Sequence, residues 1–373
     1  MAMDRVKKQS FTLENYTLEN GEILPVTLGY ETYGELNEEK TNVILVAHFF
    51  SGSSHAAGKY APEDPTPGYW DDLIGPGKAV DTNRFFVIST DNLANVQVKN
   101  PTVVTTGPRS INLKTGEIWG LDFPAFTYRD MAGIQHEFLT KQLGINKLYS
   151  VMGASAGGFI AQHWAVNYPE MVERMIGVIT NPQNPVITSF SVLQHAMRSI
   201  ALDPNWNGGN YGDENQPTEG LHLAIQMMNA GAFTPEFYER VYSRASQEEE
   251  PYKDIKAPTS YEKQLTKDIE ARGALIDASH WYYTCRATMM HDLAHGHGSL
   301  EEALNKITAN VLMISCTRDL LQPTVYNRQM VDILVRQGKQ AKLIEFDSLK
   351  GHMAGILDTH LFSAEVAELL SER

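Results

Sequence analysis

Six short apolar runs, at residues 43–47, 85–89, 148–152, 175–179, 311–315 and 342–346, constrain the fold of this 373-residue chain more than any other feature. Runs this short and largely apolar, bounded by turn residues, read as strands buried on both faces. Helical patterns lie between several of them, at 128–143, 159–168 and 326–336. The alternation predicts an α/β chain with a mostly parallel sheet and helices on both faces. From Phe11 to Gly34 the pattern alternates instead, which suits antiparallel strands at the sheet's beginning.

The strand runs stop between residues 184 and 300, where the sequence turns helical and gathers Met197, Met227, Met228, Met289 and Met290. A strandless block between two strands of one sheet is most simply a helical lid over the sheet's carboxyl edge. The expected division is therefore a core of 1–183 and 301–373 with a lid insertion of 184–300. A second independent domain is the alternative, but the chain must return after it to complete the sheet.

The run 148–152 leads into Gly153-Ala154-Ser155-Ala156-Gly157-Gly158, a G-x-S-x-G turn between a strand and a helix. A serine on so tight a turn needs small neighbours, because the backbone is strained and passes close to its surroundings. The helix start also points N–H groups at any charge developing beside Ser155. A serine hydroxyl is a weak nucleophile and requires a histidine base, itself held by an acid. Those partners should follow in the order Asp then His, in loops past late strands. Asp319 follows 311–315, and His352 lies six residues beyond Phe346. Singly, each has a bland reading as a helix-start carboxylate or a loop histidine; the ordered set of three does not.

The other half of an oxyanion hole should come from the loop after an early strand, and 48–55 follows 43–47. The backbone N–H groups of Phe50 and Ala156 are the expected donors. His48 and His55 read as structural residues of that loop, since His352 already occupies the base position. His291, His295 and His297 are spaced like metal ligands but lack further partners, and a loop entering a helix capped at Ser299 accounts for them; no metal is expected. Gly75 to Lys78 lacks phosphate-loop spacing and reads as a turn.

Composition narrows the partners. Hydrophobic residues at 42% and charged residues at 20% are those of a globular chain, and a formal charge of −14 argues against nucleic acid. An anionic ligand such as a coenzyme A thioester would need a local basic site against that field. The opening residues lack the apolar core of a signal peptide, and no stretch reaches membrane-span length, so a cytoplasmic location is expected. Cys285 and Cys316, far apart, suggest neither disulfide nor zinc.

Taken with residues 68–88, Asp122 to Pro124, Tyr128 to Met131 and Asp203 to Gly209, the elbow makes the chain resemble the homoserine O-acetyltransferase family, acyltransferases of the α/β-hydrolase fold. The resemblance implies ping-pong transfer from acetyl-CoA, as co-substrate with no bound cofactor, through an acyl-serine to a hydroxyl acceptor. It implies that Ser155, Asp319 and His352 are the triad, that Phe50 and Ala156 are the oxyanion donors, and that the chain is a homodimer built through its lid helices, serving methionine biosynthesis. Three departures accompany it. The elbow has alanines where the family usually has Gly and Met. Met353 stands where an aspartate usually contacts the acceptor's ammonium. Phe233 falls near the position of an arginine for the acceptor's carboxylate, leaving Arg198, Arg240 or Arg244 as substitutes. An esterase with the same triad is the second reading, and a non-catalytic binding protein on the same fold is the third.

Overall fold

In the computed structural model, residues 6–242 and 248–372 are described, and among them eight strands make one sheet. These are β1 (Gln9–Thr17), β2 (Ile23–Tyr33), β3 (Val43–Ala47), β4 (Phe86–Thr90), β5 (Ser150–Ala154), β6 (Arg174–Val178), β7 (Asn310–Cys316) and β8 (Ala341–Phe346). Their spatial order is β1-β2-β4-β3-β5-β6-β7-β8. The pairs β1–β2 and β2–β4 are antiparallel, and every later pair is parallel.

Strand boundaries shift slightly from the apolar runs. Pairing begins at Ser150 rather than Leu148, because Leu148 makes only an isolated bridge to Val172 before the ladder starts. The strand predicted to end at Ile179 ends at Val178, where Ile179 turns into positive φ (46°). A two-residue parallel pair, Ile74–Gly75 with Val80–Asp81, flanks the predicted turn at Gly75 to Lys78.

Consecutive residues of the central strands point to opposite faces, so each face acquires its own core. On one face Leu45, Val151 and Met313 pack with helices α1 (Tyr128–Glu137) and α2 (Ala156–Asn167). On the other, Ile44, Val46, Met152 and Ile314 pack with Trp70 and with the C-terminal helix through Val366 and Leu370. Among the described residues, the segment between β6 and β7 contains no strand. It carries α3 (His195–Leu202), α4 (Thr218–Ala232), α5 (Pro235–Val241), α6 (Ser260–Gly273) and α7 (Ala278–Met289). Its apolar residues, among them Leu193, Trp206, Leu221, Ile225, Ile269 and Trp281, form a cluster of their own. After β7 comes α8 (Thr324–Arg336), which closes against the first face through Met330 and Leu334.

The parallel strands β3, β5, β7 and β8 all end on one edge. Residues 48–55, Ser155, Asp319 and His352 follow those four strand ends, which is where an open α/β sheet presents its ligand site.

Candidate active site

Ser155 sits between β5 and α2 with φ 52° and ψ −118°, a conformation few side-chain-bearing residues adopt. It is held there by its own N–H, which donates to Val178 O at 2.9 Å. The glycines of the elbow are needed for space. A Cβ on Gly157 would lie 2.0 Å from Ala47 O, and one on Gly153 would lie 2.3 Å from the Gly157 backbone. Strand β3, strand β5 and helix α2 therefore converge at a separation only glycine permits.

Ser155 Oγ lies 2.8 Å from His352 Nε2, and His352 Nδ1 lies 2.7 Å from Asp319 Oδ2. The second oxygen of Asp319 accepts the N–H groups of Leu321 and Gln322, each at 2.8 Å, so the carboxylate cannot rotate freely. Asp319 and His352 are both buried. The histidine loop is tied from two sides. Asp358 accepts from Ser348 Oγ and from Lys350 Nζ at 2.6 Å each, and Thr234 at the start of α5 donates to Leu349 O. The sequence-predicted Ser, His and Asp are thus brought into one hydrogen-bonded line.

Phe50 and Ala156, the expected oxyanion donors, line the same cavity as Ser155 and His352. Among the described residues neither backbone N–H donates to a protein acceptor, which leaves both available to an oxygen bound at Ser155. His48 is no competitor for the base role. Its Nε2 accepts from Asn92 N–H at 3.1 Å, so the proton sits on Nδ1 and is donated to Phe49 O at 2.7 Å. Burial lowers its pKa further, leaving a neutral strut under the loop. His55 is bound to Glu31 at 2.9 Å.

The line opens into a cavity of about 290 Å³ beneath the helical segment. Phe49, Phe50, Ile225, Met228, Trp281 and Met353 form much of its wall. Its polar lining includes Gln97, Asn184, Asn229 and Gln322, and among the described residues no Asp or Glu lines it. Among the described residues the single Lys or Arg in the lining is Arg272 of α6, whose Nη1 donates to Asn229 Oδ1 at 3.1 Å. Nothing in the local sequence marks Arg272; only the close approach of α6 to α4, where a Cβ on Gly273 would lie 2.9 Å from the His222 ring, brings it there.

The other expected acceptor residues are not brought to the cavity. Arg198 and Arg240 are exposed and absent from its lining, and Arg244 lies outside the described residues. Phe233 sits one layer back. It stacks on Phe237 at 4.3 Å and packs with Val192, Leu321 and Met353, and of that group Leu321 and Met353 reach the cavity.

The three clustered histidines do not converge. His291 is buried, hydrogen-bonded to Asn181 O at 3.1 Å and stacked on Phe159, whereas His295 is exposed. Burial lowers the His291 pKa to about 3. Among the described residues no group of three His, Cys, Asp or Glu could hold a metal ion, and no helix is long and apolar enough to cross a membrane.

A family model for the alpha/beta hydrolase fold matches residues 42–341. A homoserine O-acetyltransferase of Deferribacter desulfuricans is 36% identical, over 96% of this chain and 93% of its own length. The chain belongs to the homoserine O-acetyltransferase family. It is accordingly an acyltransferase of the α/β-hydrolase fold, as the resemblance implied. Within this family, the crystal structure of a homoserine O-acetyltransferase from Bacillus anthracis superimposes with a TM-score of 0.98 at 58% identity, covering 100% of this chain and 99% of that one. The crystal structure of esterase E22 superimposes with a TM-score of 0.94 at 40% identity, covering 98% and 100%.

Proposed function

We propose that the protein transfers an acyl group from acetyl-CoA or a related thioester to a hydroxyl acceptor by way of an acyl-Ser155 intermediate. The observation that carries this reading is the Ser155–His352–Asp319 line, in a cavity that Phe50 and Ala156 also line. His352 Nε2 takes the Ser155 proton as Oγ attacks the thioester carbonyl, and the oxygen that gains charge is received by Phe50 and Ala156 N–H. Collapse expels the thiolate, which takes its proton from His352 to leave as the thiol. An acceptor hydroxyl then gives its proton to His352 while attacking the acyl-serine, and the ester leaves as Ser155 is reprotonated. Asp319, fixed by two N–H groups, keeps the imidazole in the tautomer this requires.

The acceptor in this reading is not a zwitterion. An amino acid in a water-poor pocket needs a partner for each charge, since an unpaired buried charge costs several kcal/mol. Arg272 offers a cation at the cavity, but among the described residues no carboxylate lines it, and Met353 occupies the place beside His352. L-Homoserine is therefore a poor acceptor, and less charged alcohols are better ones.

Hydrolysis is the second reading, favoured by the 40% identity to esterase E22 and by the same apolar wall. The two share acylation and differ in whether water or an alcohol reaches the acyl-serine. Residues 184–300 act in either case as the lid, over a core of 1–183 and 301–373. Val186, Ile187 and Phe190, exposed at 82%, 59% and 59%, support a homodimer through that lid. The unpaired Cys285 and Cys316 fit a cytoplasmic location. Incubation with acetyl-CoA, following thiol release and the protein mass, tests the proposal. Acceptor-dependent release with acylated Ser155 supports transfer, acceptor-independent release supports hydrolysis, and no acylation contradicts both.

A further inference from the structure

The two oxyanion donors are supported very differently. Ala156 begins a buried helix wedged among glycines, whereas Phe50 lies on an irregular loop that must be held from outside. The holding groups are a buried ionic cluster that the acyl-transfer steps do not use. Glu31 in β2 and Asp91 just after β4 are both fully buried carboxylates, and Lys8, just ahead of β1, places its Nζ 3.1 Å from one and 3.2 Å from the other. Gly29 makes the room, since a Cβ there would lie 2.3 Å from Asp91 Oδ2.

From this cluster the bonds run into the loop. Lys8 Nζ donates to Ser54 Oγ, and Ser54 N–H donates to Asp91 Oδ1 at 2.8 Å. Tyr33 donates to Glu31 at 2.9 Å while accepting Ala56 N–H at 2.9 Å. Tyr60 and His55 also bind Glu31, at 2.5 and 2.9 Å. Nearer Phe50, Asn95 Nδ2 donates to Gly52 O at 3.1 Å, and Gly52 N–H closes a turn onto Phe49 O at 2.9 Å. Burial opposes ionisation of Glu31, but the His55 hydrogen bond and the Lys8 charge outweigh it and hold the carboxyl down at about 2.

We infer that Lys8, by bridging the buried carboxylates of Glu31 and Asp91, is a positioning residue that fixes the loop presenting the Phe50 N–H to the developing oxyanion. The inference rests on Ser155 as nucleophile and on Phe50 as donor. Without the ammonium, two buried carboxylates share one pocket with only the His55 ring against Glu31 and, among the described residues, nothing basic against Asp91, and the loop between them must shift or one must bind a proton. A shifted donor weakens stabilisation of the tetrahedral intermediate more than binding of the ground-state ester, so the loss belongs in kcat.

The test uses the full chain with 4-nitrophenyl acetate as acyl donor, and near-ultraviolet circular dichroism to verify folding. Lys8→Met should lower kcat by about tenfold to a hundredfold, short of the loss on deleting an oxyanion donor outright, with KM within about twofold. Lys8→Arg should keep most of the activity. The double variant Lys8→Met/Glu31→Gln, which removes one buried negative charge with the positive one, should recover much of the loss. With folding verified, a purely structural role would leave kcat per folded molecule unchanged, so the loss in kcat at constant KM is what marks positioning. Wild-type kcat in Lys8→Met, a change confined to KM, or a double variant no better than the single one would overturn the inference. If Lys8→Met does not fold, Ser54→Ala serves instead, and an unchanged kcat there overturns it equally. Ser155→Ala on the same ester separates the two levels: persistent turnover means the nucleophile assignment has failed, whereas lost turnover beside an unaffected Lys8→Met means that only the role of Lys8 has.

Discussion

The floor of the cavity and the wall above it treat charge in opposite ways. At the floor, Ser155, His352 and Asp319 are linked at 2.8 and 2.7 Å, and the spare Asp319 oxygen is saturated by two N–H groups. The wall, contributed largely by the helical segment, offers Ile225, Met228, Trp281 and Leu275, with Arg272 and, among the described residues, no carboxylate. Loops following the strand ends of a rigid sheet can hold a reaction geometry; helices packed over them can change what is presented to it. The contrast separates the chemistry, which the family shares, from the acceptor, which this chain's own residues decide.

Breaking the floor should give the largest effects. Ser155→Ala should abolish acyl-enzyme formation, a loss on the order of 10⁶ in turnover, read by the mass of the protein after exposure to acetyl-CoA. Acylation at another residue with activity retained would remove Ser155 from the mechanism. Asp319→Asn should keep the fold and lose roughly 10⁴ in kcat, because the amide favours the wrong histidine tautomer. Near-normal turnover would mean that a different acid serves His352.

Changes to the wall should be smaller and should alter selectivity. Met353→Asp supplies an anion beside His352, and one charge-assisted contact of about 1.5–3 kcal/mol should raise kcat/KM for L-homoserine by roughly tenfold or more relative to a neutral alcohol. No gain in that ratio would show that the missing carboxylate is not what limits homoserine. Arg272→Met should change kcat/KM by only about twofold to fivefold, since the guanidinium is exposed, and only for acceptors or esters bearing a carboxylate. An equal loss for neutral substrates would make Arg272 a packing residue.

The same contrast governs what was legible beforehand. Ser155, Asp319 and His352 could be read from the chain because each follows a strand end in a fixed order, and elbow chemistry demands small residues around the serine. Strand limits moved by one or two residues, as at Leu148, because pairing depends on a neighbour distant in sequence, here Val172. Phe233 falls near the family's arginine position only if the variable helices are read without gaps, and the structure sets it behind Leu321 and Met353. Arg272 and the Lys8–Glu31–Asp91 cluster carry no local signal at all. Arg272 is positioned by the packing of α6 on α4, and the cluster joins residues up to 83 positions apart.

The choice of acceptor is read most directly from one comparison: kcat/KM of the unmodified protein for L-homoserine and for a neutral primary alcohol of the same chain length, with acetyl-CoA as donor and thiol release as the readout. A carboxylate-free cavity beside Ser155 predicts faster acceptor-dependent release with the neutral alcohol. Efficient acetylation of homoserine, with the neutral alcohol the poorer acceptor, would contradict it.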